Sequence, residues 1–436
     1  MKIWRLILAA ALILISPPGG WAGEEVSTEV FLPSADGRDA YDPGAAYGKG
    51  IFLVAWQSGN LADGDLRQGM KYIGDLVCCR VDKTGKVLDS IPLVLSSAPD
   101  LQERPRIAFG GGVFLAVWHD LRNEKDWDVY AARITPEGKV LDPNGVLIAG
   151  GAHNQAVPEV CWNGTHFQVV WQDMRTGKRY EVYGARVTTD GKVLEPEGTL
   201  LVTEKDPYSR FNPTVATIQG GSMSLLLWFG LSNNRNVPIA GTHLVVDGKI
   251  AGGPVFTNAA FFKSPGGQYG QFPASMCAGP SVYMAAWTTG IMYGRGAAAN
   301  DAHGAIFKPD GSLEKMFLLV GKGTKDAPRI NNPRSAWDGT AFVIAWDMHS
   351  GSGNEGKRSW PAETVFVARV SPAGEPSTSQ PISGSGTSPA IKPAVASDGA
   401  GLTLIAYEKH PATGDVPIKI GFVTLAGKKR SIQQSE

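Results

Sequence analysis

The chain has 436 residues, 41 of them basic and 41 acidic, so its formal net charge is zero. That balance, with no basic run before the C-terminal tail, argues against a nucleic-acid partner. The four cysteines, Cys78, Cys79, Cys161 and Cys277, form neither CxxC nor CxxCH, which points away from zinc-ribbon and c-type haem chemistry.

The first element is Met1-Lys2-Ile3-Trp4-Arg5 followed by an apolar run, Leu6 to Ile15, and by small residues at Gly20-Trp21-Ala22. This order of charge, apolar run and small residues reads as a secretory signal peptide, since a membrane span needs roughly 20 apolar residues. Cleavage is expected after Ala22. Loss of Lys2 and Arg5 then leaves the mature chain slightly acidic. No transmembrane segment is expected in it, and its predicted location is secreted, either periplasmic or extracellular.

Beyond the leader, three marks recur seven times in one order. Each unit opens on a proline: Pro43, Pro105, Pro158, Pro213, Pro273, Pro333 and Pro393. An aromatic follows at a nearly constant distance: Trp56, Trp118, Trp171, Trp228, Trp287, Trp346 and Tyr407. A glycine closes the pattern: Gly85, Gly138, Gly191, Gly248, Gly311, Gly374 and Gly427. A repeat built of short apolar strands, with the period set by those prolines, predicts a β-propeller blade. The fold class is therefore all-β, a seven-bladed β-propeller of four-stranded antiparallel blades. Residues 1–22 are the leader, 23–430 the propeller with blades starting near 43, 105, 158, 213, 273, 333 and 393, and 431–436 a tail.

The second unit predicts its strands most clearly. Arg104 to Phe109 forms the first, with the proline near its start, where no ladder hydrogen bond is lost. Val113 to Trp118 forms the second, apolar on both faces as a strand covered by two neighbours should be. Asp128 to Thr135 and Val146-Leu147-Ile148 form the third and fourth. The repeated aromatic is expected to fill the wedge between blades, and the repeated glycine to make the turn after the third strand. Arg80, Arg133, Arg186, His243 and Arg369 recur on that third strand and predict an inter-blade hydrogen bond or ion pair. The cysteines fall in small-residue core slots and are expected to be buried free thiols. In the seventh unit little follows the third strand. Val30-Phe31-Leu32 resembles a fourth strand, so the N-terminal strand is expected to close the ring.

The pattern Phe-Leu-Ala-Val-Trp-His-Asp…Asp-Val-Tyr-Ala-Ala-Arg…Gly-Lys-Val-Leu-Asp (114–120, 128–133 and 138–142) resembles repeats of uncharacterised secreted bacterial β-propellers, over residues 25 to about 430. The resemblance implies fold and export and carries no activity. No Gly-x-Ser-x-Gly, His-Glu-x-x-His or P-loop motif is present, and no cofactor is expected.

Length varies unevenly between the marks. The aromatic-to-glycine interval is the same in units 2, 3, 4 and 7, as in Trp118 to Gly138. It is longer in units 1, 5 and 6, from Trp56 to Gly85, Trp287 to Gly311 and Trp346 to Gly374. The glycine-to-proline interval is longest between units 4 and 5, from Gly248 to Pro273. Both connection types leave the same face of an up-and-down blade, and insertions on one face mark a binding face. Phe262, Tyr269, Tyr293, Arg295, Arg358 and Trp360 lie in these insertions and are the candidate partner-binding residues. His349 and His410, at matching positions just past the aromatic in adjacent units, are a weaker candidate metal pair. The sequence thus predicts a non-catalytic binding or scaffold propeller for an envelope or extracellular protein or a glycan. A glycan hydrolase or lyase is the first alternative and a metal-binding propeller the second.

Overall fold

The computed structural model describes residues 24–427 except 35–36, 62–71, 203–208, 232–237, 258–269, 272–274, 294–296, 322–328, 350–362, 384–387 and 412–415. The described residues form seven antiparallel sheets, strands following one another in chain order from the innermost outwards. Blade 2, for example, runs Gln102–Gly110, Val113–Asp120, Asp128–Ile134 and Val146–Ala149. The first strand of each blade packs against the first strands of its neighbours, with Ala390–Ser397 of blade 7 against Asp39–Gly48 of blade 1, so these strands line the axis of a closed ring. Among the described residues no helix is long and apolar enough to cross a membrane.

Closure follows the expectation from Val30-Phe31-Leu32. Two short N-terminal strands, Glu24–Val26 and Val30–Phe31, both pair with Lys419–Gly427, with Val30 opposite Phe422 and Glu24 opposite Gly427. Tyr407 donates its hydroxyl to Glu29 Oε1 at 2.6 Å, which fixes the segment between them.

The core is divided among the seams. Along the second strand of blade 2, Phe114, Ala116 and Trp118 pack against Leu53, Ala55 and Cys78 of blade 1, while Leu115 and Val117 face blade 3. This alternation explains why the strand is apolar throughout. The seven repeated aromatics are each at most 1% exposed, and each fills the seam toward the preceding blade. Burying a ring of this size typically makes its truncation cost about 3–5 kcal/mol. The cysteines are free thiols; Cys78 and Cys79 are buried and Cys161 and Cys277 partly so. Burial pushes the thiols of Cys79 and Cys277 up to about 12.

The repeated glycine and arginine explain each other. Gly85, Gly138, Gly191, Gly248, Gly311 and Gly374 all adopt positive φ, between 73° and 91°. Arg80 forms a fork with Asp89 and also donates from Nη1 to the Pro136 carbonyl of the next blade at 3.2 Å. Arg133 does the same with Asp142 and the Thr189 carbonyl, and Arg186 pairs with Glu195. A Cβ on Gly138 would stand 2.7 Å from Arg80 Cζ, so glycine, besides tolerating the positive φ, leaves room for the neighbouring blade's arginine. Arg369 pairs instead with Asp338.

The proline is placed differently from expectation. The first strand of blade 2 begins at Gln102, so Pro105 lies inside it, at a bulge where the pairing jumps from Glu103–His119 to Arg106–Val117. The same jump surrounds Pro43, Pro158, Pro213, Pro333 and Pro393. A bulge leaves its extra residues out of the ladder, so the missing N–H of proline costs nothing there. The preceding residue turns left-handed every time: Asp42, Arg104, Val157, Asn212, Asn332 and Lys392 have φ between 49° and 56°.

Candidate functional site

The left-handed turn frees the N–H of the residue before proline from its own ladder. At four seams a side chain of the preceding blade captures it. Asp42 N–H donates to Glu408 Oε1 at 2.7 Å, Val157 N–H to His119 Nδ1 at 3.2 Å, Asn212 N–H to Gln172 Oε1 at 3.1 Å and Lys392 N–H to Asp347 Oδ1 at 3.0 Å. Every acceptor is the residue after the repeated aromatic. Second strands run toward the loop-bearing face, so these clasps ring the axial channel near that face.

The clasps belong to a charged cluster. At the closing seam, Lys392 Nζ lies 3.0 Å from Asp42 Oδ1 and 3.1 Å from Glu408 Oε1. Burial would raise the Asp42 carboxyl, but Lys392, aided by Arg104 and Arg106, holds it below the usual range. His410 Nε2 lies 3.0 Å from Glu408 Oε2. Arg106 Nε donates to Glu159 Oε1 at 2.9 Å, joining blades 2 and 3. His119 Nδ1 accepts a backbone N–H, so its proton sits on Nε2, which faces Glu103 Oε1 at 2.8 Å. Burial raises Glu103, and the His119 contact outweighs it and holds it low.

Two groups are shifted further. Burial pushes the Asp347 carboxyl up to about 6, against hydrogen bonds from Asn332 Nδ2 and Lys392 N–H. Burial, with the charge of Arg106, brings the Arg334 guanidinium down to about 10, which leaves it cationic at neutral pH. Arg334 also interacts with Glu159, Asp42 and Arg104. Charges of blades 1, 2 and 3 therefore act on Arg334 of blade 6.

Of the residues singled out from sequence, Phe262, Tyr269, Arg295, Arg358 and Trp360 lie outside the described residues. Tyr293 ends the strand Tyr283–Tyr293, its backbone opposite Ala297. His349 likewise ends Phe342–His349, opposite Glu363, and the side chains of both lie outside the description. Among the described residues no group of three or more His, Cys, Asp or Glu is arranged to hold a metal ion. His119 is 3% exposed, and His303 stacks on Trp287 at 6.1 Å, where burial lowers it. Arg210 is fully buried in Ser209–Thr217, over the ring of Trp228.

The aspartates of the Trp-x-Asp segments are structural ties. Asp120 Oδ2 accepts from Trp118 Nε1 at 2.9 Å, and its Oδ1 accepts from the Arg122 N–H and Nε, both at 2.9 Å. Asp173 repeats this with Trp171 and Arg175. A carboxylate so engaged is poorly placed for acid–base chemistry.

No protein-family model matches the chain, and no curated protein does. Solved structures similar to it include a protein of unknown function from Dyadobacter fermentans, at 12% identity and TM-score 0.53, covering 93% of this chain and 100% of that one. An α-L-arabinanase of Penicillium chrysogenum complexed with arabinobiose has 12% identity and TM-score 0.47, with 91% and 98% covered. The GH93 α-L-arabinofuranosidase of Fusarium graminearum has 11% identity and TM-score 0.47, with 92% and 97% covered. The first likeness supports the propeller architecture and says nothing of chemistry.

Proposed function

We propose that the protein is an exported, non-catalytic binding propeller that engages an envelope or extracellular protein, or a glycan, through its loop-bearing face. One observation carries the non-catalytic part. Of the five carboxylates described at the channel, Asp42, Glu103, Glu159 and Glu408 are each held by a cationic or imidazole partner of the chain, and the fifth, Asp347, is held by neutral donors. Hydrolysis of a glycosidic bond needs one carboxyl kept protonated and another kept ionised at the scissile bond. The antiparallel meander supports the one-sided placement. It sends second-to-third-strand and blade-to-blade connections out at the same end, and those are the connections the insertions lengthen. Export rests on the leader-like segment 1–22.

The glycan hydrolase or lyase reading draws on Asp347, raised to about 6 in the blade beside Glu408. Against it, Asp347 is only 3% exposed and its Oδ1 already accepts two hydrogen bonds. The deciding experiment is capture of partners from the native cell envelope by the mature protein, with glycan-array screening of the same preparation. Tyr293→Ala, Arg358→Ala and Trp360→Ala should include one or two changes that cost about 2 kcal/mol or more of binding. His166→Ala, in a short turn of the opposite face, should cost none. Equal losses from both faces would remove the one-sided site, and release of reducing sugar from a bound glycan would replace binding by catalysis.

A further inference from the structure

One repeat position lies three residues before the cross-strand partner of the repeated aromatic. It is held by Gly74, Trp127, Tyr180, Pro238, Asn300, Glu363 and Ile418. Its carbonyl ties one blade to the next. That of Trp127 accepts from the Gln155 N–H at 2.6 Å, that of Tyr180 from the Arg210 N–H at 2.9 Å, and that of Ile418 from the Ala40 N–H at 3.0 Å. In blades 2 and 3 the position ends the connection between second and third strands, at the loop-bearing face. Only these two blades place an aromatic ring there, so Trp127 and Tyr180 stand over consecutive seams.

Both residues are half-buried, and their surroundings are fixed. Trp127 meets the ring of His119 edge-on, with centroids 4.5 Å apart and planes at 75°. His119 is itself held, by Glu103 at 2.8 Å on Nε2 and by the Val157 N–H at 3.2 Å on Nδ1. Asn154 ties the two loops together. Its Oδ1 accepts from the Trp127 N–H at 3.0 Å, and its carbonyl accepts from the Met174 N–H at 2.8 Å. Among the described residues nothing bonds the indole N–H of Trp127 or the hydroxyl of Tyr180, and neither atom is buried. Rings mounted on a locked backbone lose little freedom when a ligand covers them.

A half-exposed Trp or Tyr offers a flat apolar face and one polar tip. A sugar ring has the matching parts, a C–H face and a rim of hydroxyls that both donate and accept. Glu103 lies between His119 and Arg104, and Glu181 pairs with Arg179 at 2.9 Å, so the charges nearest the rings are met within the chain and suit a neutral ligand. The Glu103 and Arg104 side chains are 24% and 46% exposed, which leaves an acceptor and donors on the far side of His119. A proline-rich segment would lie on the same rings, but its prolines have no N–H for that acceptor. Packed sheets are about 10 Å apart, so a ligand that covers both rings is an oligosaccharide and not a single sugar. We infer that Trp127 and Tyr180 form a two-ring platform on blades 2 and 3 for a neutral oligosaccharide. This rests on the reading of that face as a binding face, and it adds the ligand class and a place on the face that the insertions do not mark.

The test is calorimetry on the mature protein with cellotetraose, xylotetraose, mannotetraose, arabinotetraose and chitotetraose, with their monosaccharides, and with an oligoproline peptide. At least one tetrasaccharide should bind, with little change as salt is added, and its monosaccharide should bind about tenfold more weakly or less. Trp127→Ala and Tyr180→Ala should each weaken binding about tenfold or more. Trp127→Phe and Tyr180→Phe keep a ring face and should recover part of the loss. The two rings belong to different blades, so Tyr180→Ala carries the test if Trp127→Ala does not fold. The platform is overturned if no tetrasaccharide binds at millimolar concentration, if the monosaccharide binds as tightly, or if both alanine variants bind unchanged. Binding of oligoproline and of no sugar would assign the rings to a peptide and overturn it as well. Capture of a native partner that survives Trp127→Ala and Tyr180→Ala but is lost in Trp360→Ala would overturn the platform and leave the binding face standing.

Discussion

Asp42 and Glu408 meet across the seam where blade 1 follows blade 7, the backbone N–H of Asp42 donating to Glu408 Oε1 at 2.7 Å while Lys392 Nζ reaches both carboxylates. Lys392 also donates its own N–H to Asp347 of blade 6. One residue thus ties three blades on the channel side of the seam that the N-terminal strands close on the outer side.

Lys392→Met should remove the ammonium that Asp42 and Glu408 share, leaving Asp42 only the charges of Arg104 and Arg106 and Glu408 only His410. Removing one partner of a buried ion pair typically costs about 3–5 kcal/mol, and the partial exposure of Lys392 reduces the expected loss to about 2 kcal/mol. Lys392→Met combined with Glu408→Gln should recover part of it. Urea denaturation of these two variants and of Glu408→Gln alone forms the comparison. Additive losses would show that Lys392 and Glu408 are not coupled.

The outer side of the seam depends on Leu32, which is 4% exposed and packs with Phe422 and Trp56. Leu32→Asp should lower stability by about 3 kcal/mol or more, through lost burial and an unpaired buried charge. Deleting residues 24–32 should uncover the edge of Lys419–Gly427 and promote aggregation. An unchanged melting curve for the deletion would mean that the ring does not need this closure.

The architecture was legible because its marks are repeated for reasons of packing: the aromatic fills a seam, and the glycine makes a turn against an arginine. The proline was legible as a mark and misread as a strand start, because a bulge has no signature in a single strand. The channel residues were missed for the opposite reason. Asp42, Arg104, Val157, Asn212, Asn332 and Lys392 share a backbone conformation but no side-chain chemistry, so no repeat pattern draws attention to them. The available signal was positional: the residues beside each constant proline, and the one after each constant aromatic, vary in charge while the frame does not. His119 is one such residue: the strand Val113–Asp120 carries it to the seam, where it meets Glu103 and the Val157 N–H.

The turn glycines allow a paired test. Gly50 and Gly138 both have positive φ, 82° and 91°, but a Cβ at Gly50 meets nothing within 4 Å, whereas one at Gly138 meets Arg80. Gly50→Ala should cost about 1–2 kcal/mol for the left-handed backbone alone. Gly138→Ala should cost about 1 kcal/mol more, because displacing Arg80 disturbs its fork with Asp89. Equal losses in urea denaturation would mean that the arginine yields freely and that the glycine serves the turn only.

Asp347 should leave a mark on the pH dependence of stability. Its carboxyl is raised by burial to about 6, above its value of about 3.9 in an unfolded chain. The folded protein therefore holds this proton more tightly than the unfolded chain does. The resulting stabilisation is complete below about pH 4 and is lost as pH rises through about 6. Asn332 and Lys392 N–H bond the carboxyl, Asn331 also contacts it, and Glu363 adds to the upward shift. Asp347→Asn keeps the Oδ1 acceptor and removes the titration. The paired carboxylates held low, Asp42, Glu103 and Asp142, act in the opposite direction, but equally in both proteins. The stability of Asp347→Asn minus that of the wild type should therefore rise by about 1–3 kcal/mol between pH 4.5 and 7.5. Denaturation curves at the two pH values measure it. A flat difference would show that Asp347 ionises normally, and a falling one that its charge stabilises the clasp to Lys392.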